Sequence, residues 1–380
     1  MGTSPRKYGI TLARLPANFL IAIGIFCPIT AYSVTPAQEP KRIDFQYDLN
    51  NFRSNLNIPV TTKDQKVGLP IEQIATRLAR WHEDPRIEPL QLTLEGNDQR
   101  IMDLAVKVAQ PEHRLAFANY LKENFAKGEE IPGTNLRMVT LDKNAFSFVN
   151  QNEFNALFSK VHHDISLKTS SLKNNAEARE QLLDQLSQFF SASELLRISK
   201  KIKNGSTLSL DKDLLPDFAK QRVANHTIFK GPNCFHAALA FQSPKLASSQ
   251  FVNVRREKGY HNDMINYDEL WRVLQRSFYE VDPLKSDIQY GDMIVFFETK
   301  DSNSGAVDFK TLRHAATYLL GGYVFAKGSK SANSPYLVRT LGEEWDTWTK
   351  YTKRLGVKVF RRNLKHVTNA VPADPIDWVY

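Results

Sequence analysis

Cysteine is almost absent from this chain: 380 residues hold two, Cys27 and Cys234. Cys27 lies inside a stretch with the marks of a cleaved signal, and its removal leaves Cys234 as the one thiol. A structural disulfide within one chain is then excluded. A lone thiol in an exported protein is either a reactive group or a buried small residue without a partner. Acidic residues are missing from the first 33 positions, where Arg6, Lys7 and Arg14 make a basic start. The apolar run Phe19–Phe26 is too short to span a bilayer comfortably. No basic-aromatic recognition motif occurs and the lysines are scattered, so nucleic acid is not an expected partner. Internal repeats and low-complexity tracts are absent, which excludes solenoids and propellers.

What is present fits a folded exported protein. The first 33 residues read as a signal peptide, with Ala31-Tyr32-Ser33 offering small residues for cleavage. Pro28 after Cys27 and bulky residues before it argue against a lipid-bearing cysteine. An uncleaved anchor is the rival reading. No other transmembrane segment is expected. The full chain carries +9, and loss of three basic residues with the signal leaves +6. That charge suits an anionic surface such as a cell wall or lipid headgroups.

Residues 34–68 are polar and rich in Pro, Asn and Thr, an expected leader or linker from which Ile43, Phe45, Tyr47 and Phe52 dock. Residues 69–218 are expected to form a mainly helical domain. Pro70 opens one helix. His113–Phe125, Asn152–His162 and Ala176–Phe190 carry helical spacing. Ser191 or Ser193 is the expected cap of another. Leu136–Leu141 has a strand signal. The adjacent His162 and His163 would diverge on a helix, poor geometry for a metal, and no metal or cofactor is expected.

Residues 219–380 read differently. Gly231-Pro232-Asn233 is a turn running into an Ala/Leu-rich helix, and Cys234 sits on its first turn. Unpaired backbone N–H groups and the positive end of the helix dipole stabilise a thiolate there. His236, two residues on, points elsewhere and is expected as an ordinary core or surface histidine. His261–Phe278 is a second helix. Strands follow: Tyr279–Pro283, then a Gly291-Asp292 turn into Met293–Phe297, then His314–Leu320, a Gly321-Gly322 hairpin, Tyr323–Ala326, Tyr336–Leu341 and Val357–Arg361. A short helix carries Trp345 and Trp348, expected as core. Its Glu343, Glu344 and Asp346 are expected as a solvated face. This half is α+β, helices first and then an antiparallel meander.

A thiolate nucleophile needs an imidazole to hold its proton and deliver it to the leaving group. His314 follows Cys234 by 80 residues and opens a core strand beside a loop. It is the candidate base and acid.

Asn233-Cys234 at a helix start, Gly291–Phe297, and His314-Ala315-Ala316-Thr317-Tyr318-Leu319 together resemble the NlpC/P60 papain-like hydrolases. The resemblance covers about residues 225–365. It implies a papain-like domain with an antiparallel sheet packed on the Cys helix, Cys234 as nucleophile, His314 as general base and acid, and the Cys234 N–H in an oxyanion hole. It implies cleavage of amide bonds in peptidoglycan stem peptides. In the family a third polar residue, usually His, Asn or Gln, lies on the strand after the glycine turn. Here that strand carries Lys327. An ammonium only donates hydrogen bonds and opposes an imidazolium, so Lys327 is assigned to a substrate carboxylate or to the Asn333 loop. The orienting group is a backbone carbonyl, Asn333 or absent. The family's upstream Tyr is replaced by the neighbourhood of His226 and Phe229.

Three functions follow. The first is an exported thiol hydrolase of cell-wall peptides. The second is a thiol acyltransferase, because Asn233-Cys234-Phe235-His236 is similar to the Asn-Cys-Glu-His of lecithin:retinol-acyltransferase-like enzymes, whose His precedes the Cys. The third is a non-catalytic wall or partner-binding protein that keeps the fold.

Overall fold

The computed structural model describes residues 56, 58–131, 134–257, 264–283, 285–298, 309–352, 355–364 and 375. The expected signal, Cys27 and the docking residues Ile43, Phe45, Tyr47 and Phe52 lie outside the described residues. Among the described residues no helix is long and apolar enough to cross a membrane.

The architecture is α+β with antiparallel sheets. The first half holds more strand than its helical spacing predicts. Val60–Val67 pairs with Lys160–Leu167, which pairs in turn with Leu208–Ser209. A second three-stranded sheet joins Leu90–Glu95, Leu136–Leu141 and Glu129–Glu130. Val60–Val67 falls inside the segment expected as a linker. It is polar and mostly exposed, so it carries no buried alternation by which a strand is recognised. The helix expected over 152–162 is shorter, Gln151–Ala156, and His162 and His163 stand on the strand Lys160–Leu167. Helix starts follow local chemistry. Ser191 caps Ala192–Lys203 in a capping box with Glu194, and Asn97 and Asn150 cap their helices in the same region.

The second half is built on a six-stranded antiparallel sheet. Its order is Tyr336–Thr340, Tyr323–Lys327, Leu312–Tyr318, Met293–Glu298, Leu355–Arg362, Phe278–Val281. Gly321 and Gly322 make the hairpin with φ of 63° and 83°, values that glycine adopts without strain. The helix Cys234–Gln242 lies on this sheet and is buried along its whole length. It carries no charged residue, so it needs no solvent face. Ala238 and Leu239 share one apolar cluster with Met293, Val295 and Ala315, and Phe241 meets Tyr290 and Phe325.

The expected boundary at 218/219 falls inside the helix Asp217–Arg222. One hydrophobic cluster crosses it, joining Ile165, Leu182, Leu186 and Ile198 to Ala237, Tyr290, Phe325 and Tyr336. Gly291 shows how close the two halves lie. Its φ is +90°, and a Cβ built on it would stand 2.0 Å from Phe189 Cζ. Next to it, Asp292 is buried and takes two hydrogen bonds of 2.8 Å from Arg361, tying the Gly-Asp turn to the strand Leu355–Arg362.

Candidate active site

The turn before Cys234 is held from both sides. Gly231 N donates to the Lys330 carbonyl at 3.1 Å. Asn233 is the helix N-cap: its Oδ1 accepts from His236 N at 3.1 Å and Ile265 N at 3.3 Å, and its Nδ2 donates to the Ile265 carbonyl at 2.5 Å. Asn233 thus fixes both the helix start and the chain beside it. Cys234, on the first turn, is a free thiol and 6% exposed.

His314 stands on the strand Leu312–Tyr318 opposite Phe296, where the pairing slips between Phe296 and Phe297. Bulges of this kind re-aim side chains and recur beside functional sites. The ring is 0% exposed and stacks on Trp348, with centroids 4.7 Å apart and planes at 22°. Its Nε2 lies 3.2 Å from Glu344 Oε2. Neither ring nitrogen makes an aligned hydrogen bond; the contact with Glu344 is an ion pair when His314 carries a second proton. Glu344, 1% exposed, also accepts from Arg339 Nη1 at 2.9 Å through Oε1. Arg339 is steadied by Thr347 Oγ1 at 3.3 Å.

The electrostatics follow from these contacts. Burial by itself lowers the His314 pKa. The adjacent Cys234 and Glu344 outweigh it and push the pKa up to about 9. Burial likewise works against the Glu344 carboxylate, but His314 and Arg339 hold its pKa below the usual carboxylate value. The imidazolium is therefore favoured between a thiol and a carboxylate.

Glu344 is the residue that sequence patterning misses. The cluster Glu343, Glu344, Asp346 was expected in solvent, and only Asp346 is exposed. Glu343 is the N3 partner of Thr340 in a capping box and takes a 2.8 Å contact from His163 Nε2. Glu344 shares a helical stripe with Leu341 and Trp348, at spacings of three and four. Once the Thr340 cap fixes the helix start, that stripe marks Glu344 as inward.

The other expected site residues form a separate network. Lys327 is buried and donates to the Ser329 carbonyl at 2.5 Å and the Ser331 carbonyl at 2.8 Å. Asn333 Oδ1 accepts from Arg77 Nη1 at 2.6 Å. The carboxylate of Glu88 accepts from Ser331 Oγ at 3.0 Å and from Ala332 N. His226 Nδ1 faces the Ala332 carbonyl at 3.5 Å, and burial lowers its pKa. Phe229 is exposed, with Arg86 over its ring at 5.6 Å. These residues shape the 329–333 loop, whose Lys330 carbonyl props Gly231. None of them is among the contacts of His314. His236 is buried between Phe218 and Phe251, with Nε2 at 3.1 Å from the Leu246 carbonyl. His162 is fully buried and sits 2.8 Å from Asp211. Among the described residues no cluster of His, Cys, Asp and Glu could hold a metal.

A groove of about 710 Å³ borders Glu344 and Trp348 and is walled by Lys160, Arg339 and Tyr351. Comparison with family models, with curated proteins and with solved structures finds no match to this chain.

Proposed function

We propose that this chain is an exported thiol hydrolase that cleaves amide bonds in peptides of the cell wall. The observation that carries the reading is the line Cys234, His314, Glu344: a thiol at a helix start, a buried imidazole beside it, and a buried carboxylate 3.2 Å behind the imidazole. The substrate class and the export rest on the resemblance to NlpC/P60 hydrolases and on the basic, apolar first 33 residues.

The chemistry runs in two halves. The Cys234 thiolate attacks the scissile carbonyl carbon, and the oxyanion meets the N–H groups at the helix start. The His314 imidazolium then gives its proton to the departing amine and leaves a thioester. Neutral His314 takes a proton from water as the water attacks that thioester, and the carboxylic acid leaves as the thiolate returns. Glu344 touches neither carbonyl nor water. It holds the ring in place and stabilises its charge, and Arg339 keeps Glu344 ionised. Trp348 covers the ring and excludes water from one face.

Two measurements test this. Iodoacetamide should modify Cys234 far faster than a free thiol of ordinary reactivity, read by peptide mass spectrometry of a Cys27→Ser background. Purified peptidoglycan should yield new muropeptides with wild type and none with Cys234→Ala. Equal digests from the two proteins, with Cys234 inert to alkylation, would rule the hydrolase out.

A further inference from the structure

The adjacent residues His162 and His163 lie outside the line Cys234, His314, Glu344, and their side chains leave opposite faces of the strand Lys160–Leu167. Each reaches a different element of the second half. His162 Nδ1 accepts from Val338 N at 3.1 Å, on the edge strand Tyr336–Thr340 of the six-stranded sheet. Its Nε2 stands 2.8 Å from Asp211 Oδ2. A ring nitrogen that accepts a backbone N–H carries no proton. His162 is therefore a neutral imidazole whose one proton sits on Nε2 and is donated to Asp211.

His163 is in the other state. Its Nδ1 lies 2.8 Å from Asp64 Oδ1, on Val60–Val67, and its Nε2 lies 2.8 Å from Glu343 Oε2, at the start of the helix Leu341–Thr349. Burial works against the Glu343 charge, but the Thr340 N–H and His163 outweigh it and hold the pKa below the usual carboxylate value. A neutral imidazole offers one N–H and would turn a lone pair on the other carboxylate. Only the imidazolium donates to both. The Tyr323 ring meets His163 edge-on at 5.7 Å, and Lys160 and Arg339 share a groove wall with Glu343. The Asp64 side chain is 70% exposed, so the clamp is open to water on that side and its proton exchanges with solvent.

The chain from Tyr336 to Thr349 carries Arg339, Glu344 and Trp348, the groups packed around the His314 ring and its carboxylate. His162 holds its strand and His163 holds its helix start, one residue before Glu344. We propose that His163 is a positioning residue for the candidate site, an imidazolium clamp between Asp64 and Glu343 that fixes the helix Leu341–Thr349 and so keeps Glu344 behind His314. Loss of the His163 proton leaves one carboxylate facing a lone pair and releases the helix start, whereas His162, already neutral, keeps the strand in place. The clamp deepens the hydrolase reading, on which it rests, by making that site respond to pH through a residue of the first half.

The test reads ring protons, so that it stands apart from turnover. The full chain with isotope-labelled histidine nitrogens is followed by NMR as pH is varied, with His162→Gln, His163→Gln and His314→Gln to assign the rings. At pH 7 His163 should show two ring protons and His162 one, on Nε2. In His163→Gln the His314 titration should move down by about one pH unit or more as Glu344 loses its hold. His163→Arg, whose fork donates to both carboxylates at every working pH, should restore it. A single ring proton on wild-type His163 at that pH would overturn the proposal, whatever the variants do. So would an unchanged His314 titration in a folded His163→Gln. If His163 fails these tests while wild type, and not Cys234→Ala, releases muropeptides, the clamp is wrong and the hydrolase stands. If the His314 titration follows His163 while peptidoglycan stays intact, the clamp stands and the hydrolase is wrong.

Discussion

The His314 ring and the Glu344 carboxylate approach to 3.2 Å at a point where neither side chain reaches solvent. Two charged groups leave water at this cost only when each offsets the other's desolvation. Here Arg339 adds a second cation to Glu344 and Cys234 a second partner to His314. The pair is also the joint between the sheet and the helix Leu341–Thr349.

Glu344→Gln keeps the shape and removes the charge. With the imidazolium no longer stabilised from behind, hydrolysis should fall by about 100-fold or more, as triads do when their carboxylate is neutralised. The alkaline limb of the pH–rate profile should move to lower pH. Rate and profile are read together on a peptide substrate, and an unchanged profile would remove Glu344 from the site.

The pKa of about 9 for His314 fixes two pH effects. In the proposed mechanism His314 delivers a proton, and it loses that proton near pH 9, so kcat/KM of the proposed hydrolysis should fall there. The folded state also binds this proton more tightly than the unfolded chain, whose histidine titrates at the ordinary value of 6.5. That contribution to stability is complete below pH 6.5 and disappears as pH rises through about 9. Melting temperature against pH, wild type beside His314→Gln, should converge above pH 9. Parallel curves across that range would mean that His314 does not carry the extra proton.

Asp292 belongs to the Gly-Asp turn that carries the resemblance, and its observed partner is Arg361, at 2.8 Å through two hydrogen bonds. Asp292→Ala leaves the guanidinium half-buried without its anion and should cost about 3–5 kcal/mol. Arg361→Met added to Asp292→Ala should recover part of that loss. Denaturant unfolding of both variants decides it. A cost of Asp292→Ala under about 1 kcal/mol would mean that the turn is held by backbone alone.

The strands of the second half were legible because their signals are local. Gly291 and the Gly321-Gly322 pair need positive φ, and the apolar run Met293–Phe297 fits a strand buried on both faces. Every strand expected there is found, with ends shifted by one or two residues. The first half was less legible. Val60–Val67 is a polar strand that forms because Lys160–Leu167 offers it a ladder from far along the chain, with Val60 opposite Leu167 and Val67 opposite Lys160. Lys327, expected at a substrate carboxylate or at the Asn333 loop, donates to the carbonyls of Ser329 and Ser331 in that loop.

The sequence alone determined that Cys234 begins a helix. Gly-Pro-Asn, the Asn233 cap and the uncharged Ala/Leu run act over a few residues and need no tertiary partner. It also set out a histidine at the start of a core strand. The tertiary structure decided what stands behind that histidine. Glu344 looks like a solvated residue in any local window, because charge in a window reads as exposure. Only the packing of the helix Leu341–Thr349 on the sheet, with Trp348 stacked on His314 and Arg339 drawn to the same carboxylate, takes that charge out of water and gives it a partner. Desolvation and ion pairing are properties of the assembled environment, and they place Glu344 beside His314.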